Sequence, residues 1–102
     1  MYLYYFKTDN GRSDKILVSE IVKTGREWRN TIVVYVAHDS EIYASKQKNG
    51  SSDFVTTHAE EGKIYKRTFW LNELDMDRAR KIVSDYTARK REELIRKLEN
   101  MG

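Results

Sequence analysis

The apolar residues of this chain change their period once, just after Leu71, and that switch restricts the fold more than any other feature. Before it they alternate in short runs between glycine-containing corners. After it they recur every three or four residues. Asn10-Gly11 separates the apolar-rich runs 2–6 and 16–22, and Asn49-Gly50 separates 42–48 from 51–57. Asn-Gly favours a type I′ hairpin turn, whose two central residues both need positive φ. Thr24-Gly25 and Glu61-Gly62 read as turns of the same kind, and His38-Asp39-Ser40 as a polar break. These five breaks divide residues 1–71 into six segments of strand length.

Alternation within the segments supports the division. In the third, Trp28, Asn30, Ile32, Val34 and Val36 share one face, and Arg29, Thr31, Val33, Tyr35 and Ala37 share the other. Both faces turn apolar towards its end, as expected of a central strand. In the second, Ile16, Val18 and Val22 oppose Leu17 and Ile21; in the sixth, Ile64, Thr68 and Trp70 oppose Tyr65, Phe69 and Leu71. The fourth and fifth are polar, with Lys46-Gln47-Lys48 and Ser51-Ser52-Asp53. They read as an edge hairpin whose lysines discourage sheet-to-sheet association.

From Met76 the apolar residues Ala79, Ile82, Val83, Tyr86, Leu94, Leu98 and Met101 follow helical spacing. Asp75 is the expected N-cap, and Asp77 in the first turn faces the positive end of the helix dipole. Asp77–Lys81, Asp85–Arg89, Glu92–Arg96 and Glu93–Lys97 are i,i+4 pairs with the acid first, the favourable order. Between Tyr86 and Leu94 the stripe is filled by Thr87 and Lys90. The helix, predicted over 75–100, is therefore expected to leave the sheet after about three turns, its end projecting or packing on a partner. The fold class that follows is α+β: an antiparallel sheet over 1–71 closed by one long C-terminal helix, in a single domain spanning 1–102.

A 102-residue chain has room for one domain, and 34% charged against 39% hydrophobic residues leaves it a thin core. The chain has no cysteine, which excludes disulfides, thiolate nucleophiles and Cys-zinc sites and suits a reducing cytoplasm. No apolar run is long enough for a membrane helix, and the start Met1-Tyr2-Leu3-Tyr4-Tyr5-Phe6 lacks a basic leader and reads as a strand. The net charge of +3 is spread evenly: residues 1–70 carry 11 basic and 9 acidic side chains, residues 71–102 carry 8 and 7. Dedicated duplex-DNA binders show a clearer excess on one face.

Nothing in the spacing points to catalysis. His38 and His58 lie near Asp39 and Glu60, but no H-x-x-x-H spacing exists, and two strand-end histidines on the surface are the plainer reading. Glu60-Glu61 falls in a turn and Glu92-Glu93 on a salt-paired helix face, neither suited to carboxylates held in different environments. The five glycines are scattered, so no phosphate loop or cofactor motif forms. Arg89-Lys90-Arg91 is the densest basic cluster, and its interleaved acids favour a salt-laced helix.

The aromatics carry more information. Tyr2, Tyr4, Tyr5, Phe6, Trp28, Tyr35, Tyr43, Phe54, Tyr65, Phe69 and Trp70 all fall in predicted strands. In so small a domain most must fill the core, yet tyrosine also suits half-exposed interface positions. Strand aromatics mixed with cations suit stacking of single-stranded bases, and Lys63-Ile64-Tyr65-Lys66-Arg67-Thr68-Phe69-Trp70 is the best local example.

The stretch from Phe69-Trp70-Leu71 through Asp75, Ala79, Ile82, Tyr86 and Leu94 resembles the ending of many small phage- or prophage-encoded accessory proteins. There, strands precede an acid-capped amphipathic helix near the C-terminus. The resemblance implies a cytoplasmic accessory protein that binds a host or phage macromolecule; inhibitors of bacterial defence nucleases are one such class. The strand-rich front with its closing helix is also similar to the transcriptional-coactivator type of single-stranded-DNA-binding domain, and in strand–helix order to a pleckstrin-homology-like barrel. This chain departs from the first in strand number and charge, and from the second by one strand.

The expectation is a non-enzymatic binding module with a protein partner, no cofactor, no metal and no membrane contact. Its expected interface is Tyr43, Tyr65, Trp70, Lys90, Leu94 and Ile95, and a symmetric homodimer is a further expectation. The alternative is single-stranded nucleic-acid binding through Lys63, Tyr65, Lys66, Arg67, Arg89 and Arg91.

Overall fold

The computed structural model describes residues 1–9, 12–47 and 54–101. The elements run β1 (Tyr2–Asp9), β2 (Arg12–Trp28), β3 (Thr31–Val36), α1 (Glu41–Gln47), β4 (Phe54–His58), β5 (Thr68–Leu71) and α2 (Met76–Met101). All neighbouring strands are antiparallel, in the order β4-β3-β2-β1-β5. The α+β class with a long C-terminal helix is as expected, with five strands rather than six. Among the described residues no helix is long and apolar enough to cross a membrane.

Three segments depart from their predicted shape. Thr24-Gly25 is not a corner: it lies inside the 17-residue β2, where pairing with β3 slips between Thr24 and Glu27. The chain turns instead at Arg29-Asn30, with Arg29 at φ 55° and Thr31 Oγ1 donating to the Trp28 carbonyl at 2.8 Å. Gly25 is explained by packing, since a Cβ there would stand 3.1 Å from Tyr35 Cε2 and 3.4 Å from Val33 Cβ. The fourth segment is helix α1 rather than a strand. Ser40 Oγ accepts from the Tyr43 amide at 3.0 Å, an N-cap bond, and Ile42 is wholly buried.

The third departure is the front of the sixth segment, which is not extended. The Tyr65 and Thr68 backbones exchange bonds of 2.8 and 2.9 Å around Lys66 and Arg67, at φ 47° and 70°. Positive φ at both central residues is type I′ geometry. Glu61-Gly62 does turn, with Gly62 at φ 79°. The Asn10-Gly11 and Asn49-Gly50 tips lie outside the described residues.

Because β2 is long, its first half pairs with β1 and its second half with β3. Alternation along β1 then serves two cores. Leu3 joins Leu17, Val34, Val36, Val55 and Ile42 of α1, whereas Tyr4 and Phe6 join Phe69, Leu71, Ala79 and Val83 of α2. The sheet curls until β5 meets β4. Trp70 Nε1 donates to the His58 and Ala59 carbonyls at 2.9 and 3.2 Å, and Thr68 Oγ1 to the Thr56 carbonyl at 3.4 Å.

Asp75 caps α2 as expected, its Oδ1 accepting from the Arg78 amide at 3.0 Å. Tyr4 holds the approach to the helix: its buried hydroxyl donates to the Glu73 carbonyl at 3.1 Å and accepts from the Asp75 amide at 2.9 Å. Met76, Ala79, Ile82, Val83 and Tyr86 pack on the sheet, but every residue from Ala88 to Lys97 is exposed. At about 1.5 Å per residue the helix is about 39 Å long, within a molecule 48 Å in its longest dimension. Its second half therefore projects.

Candidate functional site

Three surfaces are built by this fold. The first is the projecting half of α2. Leu94 and Ile95 are 61% and 55% exposed there, one helical turn beyond Lys90 and Arg91. Lys90 Nζ lies 5.7 Å from the Tyr86 ring centre and 3.9 Å from Glu93. Large apolar side chains exposed on a charged helix are what a partner can cover.

The second is a cleft of about 500 Å³ between the β4–β5 connection and α2. Ile64, Ile82 and Tyr86 line its apolar part; His58, Lys63, Asp85 and Arg89 supply its polar groups. His58 Nδ1 accepts from the Glu60 amide at 2.9 Å, so in the neutral ring the proton sits on Nε2. Lys63 pairs with Glu60 at 2.9 Å; that hydrogen bond, and then the lysine charge, hold the Glu60 carboxyl below its ordinary pKa. The Lys66-Arg67 turn stands next in the chain, with Lys66 Nζ 5.5 Å from the Tyr65 ring centre. Its backbone is tied to β1, because the Phe6 amide donates to the Arg67 carbonyl at 3.1 Å.

The third is the open face of β2, β3 and β4. Lys23, Tyr35 and Phe54 are direct cross-strand partners and form one row. Their chain neighbours Val34, Val36 and Val55 point into the core, so the row faces the other way. The Tyr35 and Phe54 ring centres are 6.4 Å apart, and Lys23 Nζ lies 5.5 Å from that of Tyr35.

Among the residues singled out from sequence, the fold brings Lys63 and Arg89 together in the cleft and places Lys90, Arg91, Leu94 and Ile95 along the projecting helix. Tyr65, Lys66 and Arg67 lie in a turn rather than on a strand. Tyr43 stacks on His38 at 4.7 Å and packs against the core of Leu3 and Ile42, whereas α2 packs on the core of Tyr4 and Phe6. Trp70 spends its indole N–H on the β4 end, a structural role. His38 follows β3 and His58 ends β4. Thr31 at the start of β3 opposes His58, which sets the two histidines at opposite ends of the strand pair. No group of three or more metal-ligating side chains comes together among the described residues.

The row of Lys23, Tyr35 and Phe54 was not singled out. Its signal was present in the outward phase of Tyr35, opposite Val34 and Val36, but the register joining it to Phe54 is a long-range fact. What the fold offers is a set of apolar and cationic contact surfaces. No family model, curated protein or solved structure matches this chain.

Proposed function

We propose that this chain is a non-catalytic binding module, a cytoplasmic accessory protein of the phage type, that binds and modulates a host or phage protein through the free half of α2. The observation that carries this reading is the exposure of Leu94 and Ile95 on a helix whose earlier apolar residues pack on the sheet. An amphipathic helix laid into an apolar groove is a common mode of protein recognition, and Lys90 and Arg91 beside the apolar pair favour an acidic rim on the partner.

Affinity purification with and without nuclease tests it. A partner retained after nuclease treatment, and lost in a Leu94→Asp/Ile95→Asp variant that keeps the parent melting curve, is the expected result. A strict monomer by light scattering that captures no protein would overturn it.

A second reading, single-stranded nucleic-acid binding, draws on another surface. Its support is the exposed row of aromatic and cationic side chains across β2, β3 and β4.

A further inference from the structure

We propose that the open face of β2–β3–β4 is a stacking platform for single-stranded nucleic acid, with bases on Tyr35 and Phe54 and phosphates on Lys23, Arg26 and Arg29. This rests on the second reading above and names its surface. Phe54 is 48% exposed and Tyr35 half-buried, both on the side of the sheet away from the core. Tyr35 is held in place by an unusual neighbour. Its ring edge approaches Gly25 so closely that a Cβ would stand 3.1 Å away, so the ring lies over the β2 backbone. The Lys23 ammonium lies over the Tyr35 ring at 5.5 Å, so an aromatic face and a cation stand side by side, the pairing that stacking of a base next to its phosphate uses.

The charge around the row fits a polyanion. Lys23 lies over the Tyr35 ring, exposed Arg26 follows Gly25 in the chain where the register with β3 slips, and the Arg29 guanidinium sits 5.2 Å from the ring centre of Trp28, itself 53% exposed. Between Lys23 and Arg29 the only acid is Glu27. The surface also has a direction. His58 lies four residues beyond Phe54 on the same face of β4, about 13 Å along the strand at ~3.3 Å per residue. It opens the cleft that holds Lys63 and Arg89. A strand stacked on Tyr35 and Phe54 is thus led towards two further cations. Aromatic residues and arginine are also enriched at protein interfaces, so a protein partner is an outcome that the test distinguishes. A duplex fits the row less well, because its bases are already stacked on one another.

The test titrates the full chain into fluorescein-labelled oligo(dT), oligo(U) and a duplex of matched length, about a dozen nucleotides each, at several salt concentrations. Both single strands are expected to bind more tightly than the duplex. With three or four phosphate contacts, log K should fall against log salt with a slope of about −2 to −3. Tyr35→Ala and Phe54→Ala should each weaken binding about 5- to 150-fold, the equivalent of ~1–3 kcal/mol per stacked base. Tyr35→Phe should restore it, and Leu94→Asp/Ile95→Asp should leave it unchanged.

The outcomes separate the site from the reading. Absence of binding to either single strand at low salt overturns both. Binding unaffected by Tyr35→Ala and Phe54→Ala but lost in Lys63→Ala/Arg89→Ala leaves the reading standing and overturns this platform. Loss of a nuclease-resistant protein partner in Tyr35→Ala, with no oligonucleotide affinity, assigns the face to a protein and overturns it as well.

Discussion

Thr57 carries a buried polar group that no described residue satisfies. It lies wholly buried in β4 opposite Ile32, and its Oγ1 has no hydrogen-bond partner among the described residues. A buried hydroxyl without a partner costs on the order of 1–3 kcal/mol. Thr57→Val removes it at constant shape and should raise the denaturation midpoint by about 1 kcal/mol of stability; a fall would show that the hydroxyl is satisfied. Tyr4 is the opposite case. Its hydroxyl both donates and accepts, at Glu73 and Asp75, where the chain enters α2. Tyr4→Phe leaves two backbone groups unpaired and should lower stability by about 1–3 kcal/mol in the same assay. Glu60 belongs to the surface. Its pKa is lowered by Lys63, so the pair's contribution is fully present above the ordinary carboxylate pKa of 4.5 and is lost as pH falls through the depressed value. An NMR titration should place the Glu60 midpoint below 4.5 and return it there in Lys63→Ala. Global stability should barely change, because both side chains are mostly exposed.

At the scale of elements, the β4–β5 connection breaks an ordinary rule. Lys66 and Arg67 both hold positive φ where Asn-Gly would be comfortable. Each such residue costs on the order of 1–2 kcal/mol relative to glycine. Lys66→Asn/Arg67→Gly should therefore raise thermal stability, and a lowered melting point would mean the two side chains support the turn. The same positions explain what could be read in the chain and what could not. The shift to helical spacing, the Asp75 cap and the Glu61-Gly62 turn are local, and each could be read from neighbouring residues. Gly25 and the Lys66-Arg67 turn invert turn chemistry, glycine lying in a strand and two cations in a type I′ corner. Their causes are remote: the ring of Tyr35 on β3 lies against Gly25, and the Phe6 amide on β1 binds the Arg67 carbonyl. Helix α1 was hidden in the same way, because seven residues with one buried Ile42 carry too little periodicity. The Lys23–Tyr35–Phe54 row needs two registers before it exists at all.

For the whole molecule, the uneven use of α2 decides most. Its first three turns close a core, while from Ala88 to Lys97 every residue is exposed and Arg89 alone lines the cleft among the described residues. The last turn carries no basic residue to offset the dipole, so the end lacks a usual stabiliser. A helical stretch of this length is marginal in water without tertiary contacts. Its amides should then exchange with solvent far faster than those from Ala79 to Tyr86, which are protected by the packed core. Hydrogen exchange read residue by residue checks this, and the expected break falls within one turn of Thr87, whose Oγ1 donates back to the Val83 carbonyl at 2.8 Å. Uniform protection along the helix would mean that a second copy or another contact covers the end in solution; dilution would separate these, since only self-association weakens as the protein is diluted. Adding the protein partner should slow exchange selectively around Leu94 and Ile95 and leave the open sheet face unchanged. Adding a single-stranded oligonucleotide should do the reverse, protecting β2 and β4 near Gly25 and Phe54. Arg89 at the cleft is where the two surfaces come nearest, so protection of Leu94 and Ile95 beyond it by an oligonucleotide would contradict their assignment to separate partners.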